Sequence, residues 1–257
     1  MYTSTENARV ILGLTAIGYD VTDVGGHNLL EGLTELETVR VQGINGPIWA
    51  LIALDSHDYE IPEMTGESGF TQTTRENLIE SICLAQLEDG GWNLSGTSAD
   101  TDMTAMAVQA LAPYYGTDAG VKEAVDKALE CLSDIQDKDG GYASWGTKNA
   151  ESCAQVMVAL TALGIDPATD VRFIKDGHTV IEALLGFYVE GGGFRHVVSG
   201  ERNTMATEQG YYALAAYDRM LKGQTSLYDM TDVTIQKTLP EGPENNGSVT
   251  YLSLIHI

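Results

Sequence analysis

The chain has 257 residues, 43% of them apolar, which is enough for one large domain with a substantial core. Lys and Arg number 14 against 37 Asp and Glu, a formal charge of −23 that argues against nucleic acid or an anionic membrane surface as a partner. No apolar run approaches the roughly 18 residues of a membrane span, and no signal-peptide pattern follows Met1. Cys83, Cys131 and Cys153 show no paired spacing and fall inside helical patterns, so they read as small buried apolar side chains. His27, His57, His178, His196 and His256 lack metal-ligand spacing, and no metal site is expected.

Helix patterns dominate, and no strand alternation competes with them. Glu6–Gly18 opens the chain as a helix ending in glycine. A weaker helix covers Asn28–Leu36. Asn45–Asp55 is the third, with Pro47 in its first turn. After a polar loop over His57–Gln72, Thr73 and Glu76 form a capping-box pattern for a helix reaching Leu87. Asp102–Tyr115 carries no charge after Asp102 and is apolar all round, the pattern of a buried helix. Asp118–Gln136 is amphipathic, its apolar set being Val121, Ala124, Val125, Ala128, Leu129, Leu132 and Ile135. Asn149–Gly164 reads as buried and Val171–Tyr188 as amphipathic in its second half. Asn203–Met220 reads as buried again. Buried helices thus alternate with one-faced helices, and those that read as buried end at Leu14, Leu54, Leu111, Leu160 and Leu214.

The alternation rests on a repeat of about 50 residues. Gln86–Leu111 (QLEDGGWNLSGTSADTDMTAMAVQAL) returns as Gln136–Leu160 (QDKDGGYASWGTKNAESCAQVMVAL) and as Gly191–Leu214 (GGGFRHVVSGERNTMATEQGYYAL). Each copy is a double-glycine turn with an aromatic, a polar loop, and an alanine-rich helix ending in Ala-Leu. A shorter echo joins Thr15-Ala-Ile-Gly-Tyr-Asp to Thr161-Ala-Leu-Gly-Ile-Asp. The expected fold is all-α: an incomplete α/α toroid in which buried inner helices alternate with amphipathic outer ones. Residues 1–222 form that domain and 223–251 a linker to a further domain. Leu252–Ile257 (LSLIHI) reads as the translation of a sequencing-library transposon end, and the domain is expected to lack N-terminal helices.

Over roughly Glu6–Lys222 the chain resembles the α/α-toroid superfamily of terpene cyclases, protein prenyltransferase β subunits and cobalamin carriers. Gln86-x-x-x-Gly90-Gly91-Trp92 and Gln136-x-x-x-Gly140-Gly141-Tyr142 look like the glutamine-to-tryptophan repeats of the cyclases. In the third copy Tyr188 stands in place of the glutamine. The look is closest to prenyltransferase/squalene-oxidase-like repeat regions of secreted or cell-surface proteins of gut bacteria, and to the α-domain of the cobalamin carriers. The resemblance implies an extracellular bacterial protein, cobalamin as a candidate small-molecule ligand, and flanking domains of the same polypeptide as partners. No cofactor is required and no membrane insertion is implied.

The loops Asn93–Thr101, Ala143–Lys148 and Arg195–Arg202 lead into the buried helices, whose N-termini should meet at one rim. Unpaired N–H groups and helix dipoles there are expected to favour anions. The candidate ligand-binding residues are Trp92, Trp145, Glu151, Arg195, His196, Arg202 and Glu208. The candidate catalytic residues are Asp100 and Asp102. Asp100-Thr101-Asp102-Met103-Thr104-Ala105 resembles the Asp-x-Asp-Asp-Thr-Ala acid motif of terpene cyclases, with Met103 where the last aspartate belongs. The resemblance would make Asp102 the proton donor to an isoprenoid alkene. The competing reading of the same residues is a helix cap. Cys153 follows Glu151 without the Asp and His that the prenyltransferase zinc site requires, so zinc is not expected. The sequence therefore points to a non-catalytic binding or scaffold toroid, with a terpene-cyclase-like enzyme as the alternative.

Overall fold

Thr3 starts the first helix with a reciprocal cap: its hydroxyl accepts from the Glu6 N–H, and the Glu6 carboxylate accepts from the Thr3 N–H at 2.9 Å. A computed structural model describes residues 3–64 and 69–237 of the chain. Among these, residues up to Leu78 and from Tyr228 onward make one compact unit, and Ile79–Leu227 make a second.

In the first unit, α1 (Ser4–Ala16) packs on α3 (Asn45–Asp55), with a short α2 (Leu36–Val39) beside them. Ala8, Ile11, Ile48, Leu51 and Leu54 are fully buried between these elements. The weak helix expected over residues 28–36 is a 3-10 turn, Leu29–Leu33, and the chain then turns into α2. Arg75 ties the end of α3, bridging to Asp55 at 2.7 Å and donating to the Leu54 and Tyr59 carbonyls. Within the stretch expected as a linker, residues 228–237 dock on this unit. Met230 N–H donates to the Ser56 carbonyl at 2.7 Å, and Gln236 N–H donates to the Gly18 carbonyl at 2.7 Å. The expectations for 238–251 and 252–257 lie outside the described residues.

The second unit carries the repeats. α5 (Thr101–Leu111), α7 (Ala150–Ala162) and α9 (Thr204–Leu221) lie side by side with α7 in the middle; α6 (Ala119–Asp134) backs α5, and α8 (Val180–Leu185) backs α7. The burial follows the sequence pattern. Every residue of α7 from Ala150 to Thr161 is buried, whereas α6 buries one face, Val121, Ala124, Val125, Ala128, Leu129, Cys131 and Leu132. Ile135, assigned to that face, is exposed because α6 has ended at Asp134. The echo between residues 15–20 and 161–166 is a shared helix stop. Gly18 and Gly164 take positive φ, letting Tyr19 and Ile165 N–H reach back to the Leu14 and Leu160 carbonyls.

α4 (Arg75–Leu84) begins one residue later than the capping pattern implied, with Thr74 and Asn77 capping each other reciprocally. It stops at Leu84 rather than Leu87, because Leu87 N–H already bonds the Gly91 carbonyl in the first double-glycine turn. Pro113 ends α5 at Leu111 and leaves only a 3-10 turn to Tyr114. The expected helix over 171–188 is mostly absent. Asp176-Gly177, both at positive φ, make a tight hairpin between β3 (Ile174–Lys175) and β4 (His178–Thr179), and only six helical residues follow. Two more hairpins with two-residue strands, β1–β2 (Ala143–Ser144 with Thr147–Lys148) and β5–β6 (Phe194–Arg195 with Arg202–Asn203), shape the loops that enter α7 and α9. α9 departs from its apolar pattern: only Ala206, Gly210, Ala213 and Ala216 are buried, while Met205, Tyr211 and Leu221 are exposed.

The glutamine-to-aromatic repeat is a clamp. Gln86 Nε2 donates to the Gly90 carbonyl of its own turn and to the Ala124 carbonyl of α6, both at 2.7 Å. Gln136 does the same with Gly140 at 2.9 Å and Phe173 at 3.0 Å. Each glutamine thus fixes its turn to the next outer segment, and the turn glycine lies against that segment's backbone. Substitution of Gln136 by Ala leaves two carbonyls short of a donor and is expected to cost about 2 kcal/mol, read as a fall in thermal midpoint. No change in the midpoint would mean that the glutamine holds nothing.

Candidate functional site

Three loops enter three neighbouring helices at one rim of the second unit. The aromatic that follows each double glycine turns away from that rim. Trp92, Tyr142 and Phe194 are fully buried, and the Trp92 indole N–H donates to the Ile82 carbonyl at 2.7 Å. Trp92 N–H and Phe194 N–H donate to the hydroxyls of Thr104 and Thr207, four residues into α5 and α9. Cys153 stands at the same step of α7 facing the Tyr142 backbone, and burial pushes its thiol up to about 12. Trp92, expected among the rim residues, is instead packed in the core.

Asp100 stands at the start of α5. It is the N-cap of α5: one oxygen accepts from Met103 N–H at 3.0 Å, and the other accepts from the Ser144 hydroxyl. Asn149 and Asn203 cap α7 and α9 in the same way. Asp102 sits in the first turn with its Oδ1 sealed from solvent and without a hydrogen-bond partner. Burial raises its carboxyl to about 6, the Ser152 hydroxyl opposes that rise, and Asp100 and Glu151 add to it. The Ser152 Oγ is itself buried outside bonding geometry, so it faces Asp102 without closing a full hydrogen bond.

Glu151 occupies in α7 the place Asp102 has in α5. It is buried and meets His196 Nδ1 at 2.8 Å, His196 being half exposed. Arg195 is spent locally on the Val198 and Tyr188 carbonyls. Arg202 pairs with Arg195 across the β5–β6 hairpin, and its stem lies against Gly193. Glu208 lies a turn into α9, half-buried. Trp145 is at the tip of the β1–β2 hairpin at φ 50°, with 80% of its surface exposed. The structure thus brings together Asp100, Asp102, Glu151 and His196, with Trp145 one residue from Ser144. It places Trp92 elsewhere.

At each of the three helix starts a side-chain cap, Asp100, Asn149 or Asn203, takes one N–H, and Asp102 and Glu151 stand in the first turns of α5 and α7. These carboxylates oppose the anion binding that helix N-termini otherwise offer. The residues that join the helices below the rim gave no local signal. Gln109 Nε2 donates to the Gln155 side chain at 2.9 Å, and Gln155 Nε2 donates to Gln209 at 3.0 Å and to the Tyr212 hydroxyl. These pairs lie 46, 54 and 57 residues apart, close to the repeat length, which is the one pattern that could have found them. In the first unit a separate cleft of about 310 Å³ is lined by Ile61, Glu63, Gln72–Arg75 and Glu76. Among the described residues no group of His, Cys, Asp and Glu has the arrangement of a metal site.

No family model matches the chain, and no curated protein matches it. Among solved structures the chain is similar to Candida albicans protein geranylgeranyltransferase-I complexed with GGPP, at 13% identity and a TM-score of 0.48. The alignment covers 75% of this chain and 57% of that one, so the chain spans a little over half of that chain's length.

Proposed function

We propose that this chain is a non-catalytic helical-repeat module, part of an α/α toroid, that binds through the loop rim of its second unit. The observation that supports this most is the burial of Trp92, Tyr142 and Phe194. An enzyme that guides carbocations needs aromatic faces turned toward its substrate, and here the repeat aromatics are used to fix loops. Export to the cell surface and a corrinoid ligand are parts of the same proposal. Titration calorimetry with cobalamin tests the latter: no heat at high micromolar concentration removes it.

Asp102 favours a second reading. A carboxyl raised to about 6 by burial keeps part of its proton near neutral pH, as a proton donor requires. Incubation with squalene and with geranylgeranyl diphosphate, followed by mass spectrometry of the extract, decides between them. The non-catalytic reading expects both compounds unchanged. A cyclised product made by the natural chain and lost in Asp102→Asn would establish the enzyme.

A further inference from the structure

The three entry loops share a feature that neither the core nor the acid cluster uses. Each carries one large apolar residue at its tip, within two residues of a glycine (Gly96, Gly146 or Gly200): Leu94 is 51% exposed, Trp145 80% and Val198 62%. The tips belong to one rim. Loop 143–148 lies on the start of α5 through Thr101 Oγ1 donating to the Ala143 carbonyl at 2.7 Å. Loop 195–202 lies on the start of α7 through Ala150 N–H donating to the His196 carbonyl at 3.0 Å. Loop 93–100 runs directly into α5.

None of the tips is a loose end. Asn93 Oδ1 accepts from Ser95 and Gly96 N–H, and its amide donates to the Ser98 carbonyl. The β1–β2 hairpin holds Trp145, and Arg195 holds the Val198 carbonyl at 2.9 Å. Loops that are bonded in place lose little freedom when a partner arrives. A single exposed apolar residue is ordinary, but one at the tip of each of three stacked loops marks an interaction face.

The charge around the tips selects the partner. Glu88, Asp89, Glu190 and Glu201 are exposed in these loops and the turns before them, against the exposed Lys138 and Arg202. Lys148 is neutralised between Asp137 at 3.1 Å and Asp139 at 2.7 Å, and Arg195 is turned onto carbonyls. An acidic face with apolar points complements a chain that alternates cationic and apolar side chains. We infer that the rim of Leu94, Trp145 and Val198 docks a cationic amphipathic polypeptide segment, which rests on the binding role proposed above.

The test uses the full chain and a short fluorescein-labelled peptide of alternating lysine and phenylalanine, followed by anisotropy. The controls are a Lys/Ser peptide and a Glu/Phe peptide. The natural chain should bind the Lys/Phe peptide at least about tenfold more tightly than either control. The combined variant Leu94→Ser, Trp145→Asn, Val198→Ser, with an unchanged thermal midpoint, should lose that advantage while still binding the Lys/Ser peptide weakly. Equal binding by the variant, strong binding of the Glu/Phe peptide, or no binding of the Lys/Phe peptide would overturn the inference. So would sedimentation showing a self-associated chain that becomes monomeric in the variant, since the face would then belong to a second copy. The product assay with squalene judges the non-catalytic reading separately, so failure here leaves that reading standing.

Discussion

Alanine at Gly140 lowers stability by roughly 3–5 kcal/mol, while alanine at Gly146 costs only about 1 kcal/mol. Both glycines have φ near 80°, so both substitutions carry the same backbone penalty. They differ in surroundings. A Cβ on Gly140 would stand 2.4 Å from the Thr179 carbonyl oxygen, whereas a Cβ on Gly146 would meet nothing within 4 Å. Thr179 is the N-cap of α8, and its backbone has no flexible end that can move aside. The alanine must therefore push the turn off the outer segment to which Gln136 is bonded. Urea unfolding followed by tryptophan fluorescence checks both variants. Equal midpoints would show that the double glycine serves only its own turn and does not pack one repeat on the next.

Asp102→Asn stabilises the protein at neutral pH by roughly 1–3 kcal/mol, a rise of several degrees in thermal midpoint. The sign follows from the raised pKa. The native carboxyl titrates at about 6 and the unfolded one near 3.8, so between these values the native state holds the extra proton. Stability contributed by Asp102 therefore falls as pH rises from about 4 to about 6, and above that the charged form bears the full cost of burial. Asparagine has no charge to bury and presents an amide to Ser152. Variant and natural chain should converge near pH 4 and separate progressively to pH 7. A variant less stable than the natural chain at pH 7 would mean that the Asp102 charge is held by a partner, and the burial argument would fail. The comparison is made between the two chains at each pH because many other carboxylates titrate over the same range.

The helices of the second unit were legible because their faces differ. α7 has one charge and α6 carries six charged residues away from its apolar face, and those patterns translate directly into burial. Two breaks were missed although local chemistry announced them. Pro113 removes a helical N–H, and Asp176-Gly177 is a hairpin dipeptide that outweighed the helical spacing around it. α9 misled for another reason. Between Glu208 and Asp218 it is as free of charge as α7, but burial also depends on what lies beside a helix, and Met205 and Tyr211 face solvent. At the rim, the helix caps and the Asp102 position could be read from residue types. The pairs Ser144–Asp100, His196–Glu151 and Gln109–Gln155 could not, since each joins residues 44 to 46 apart. Such contacts are set by the stacking of repeats, and only the repeat length hints at them. The expected pull on anions is opposed at α5 and α7, where Asp100, Asp102 and Glu151 put carboxylates at the helix starts.

The burial of Trp92 beside the exposure of Trp145 separates a structural repeat from an aromatic-lined reaction chamber, and acrylamide quenching measures it directly. The chain has three tryptophans, Trp49, Trp92 and Trp145, so two double variants isolate the relevant pair. With Trp49 and Trp145 changed to Phe, the remaining Trp92 should emit at short wavelength and resist quenching until the protein unfolds. With Trp49 and Trp92 changed to Phe, Trp145 should be quenched almost as readily as free tryptophan. Trp92 quenched as easily as Trp145 in the folded chain would place an aromatic face in an open cavity, contradict the clamp, and return Asp102 to the role of a catalytic acid.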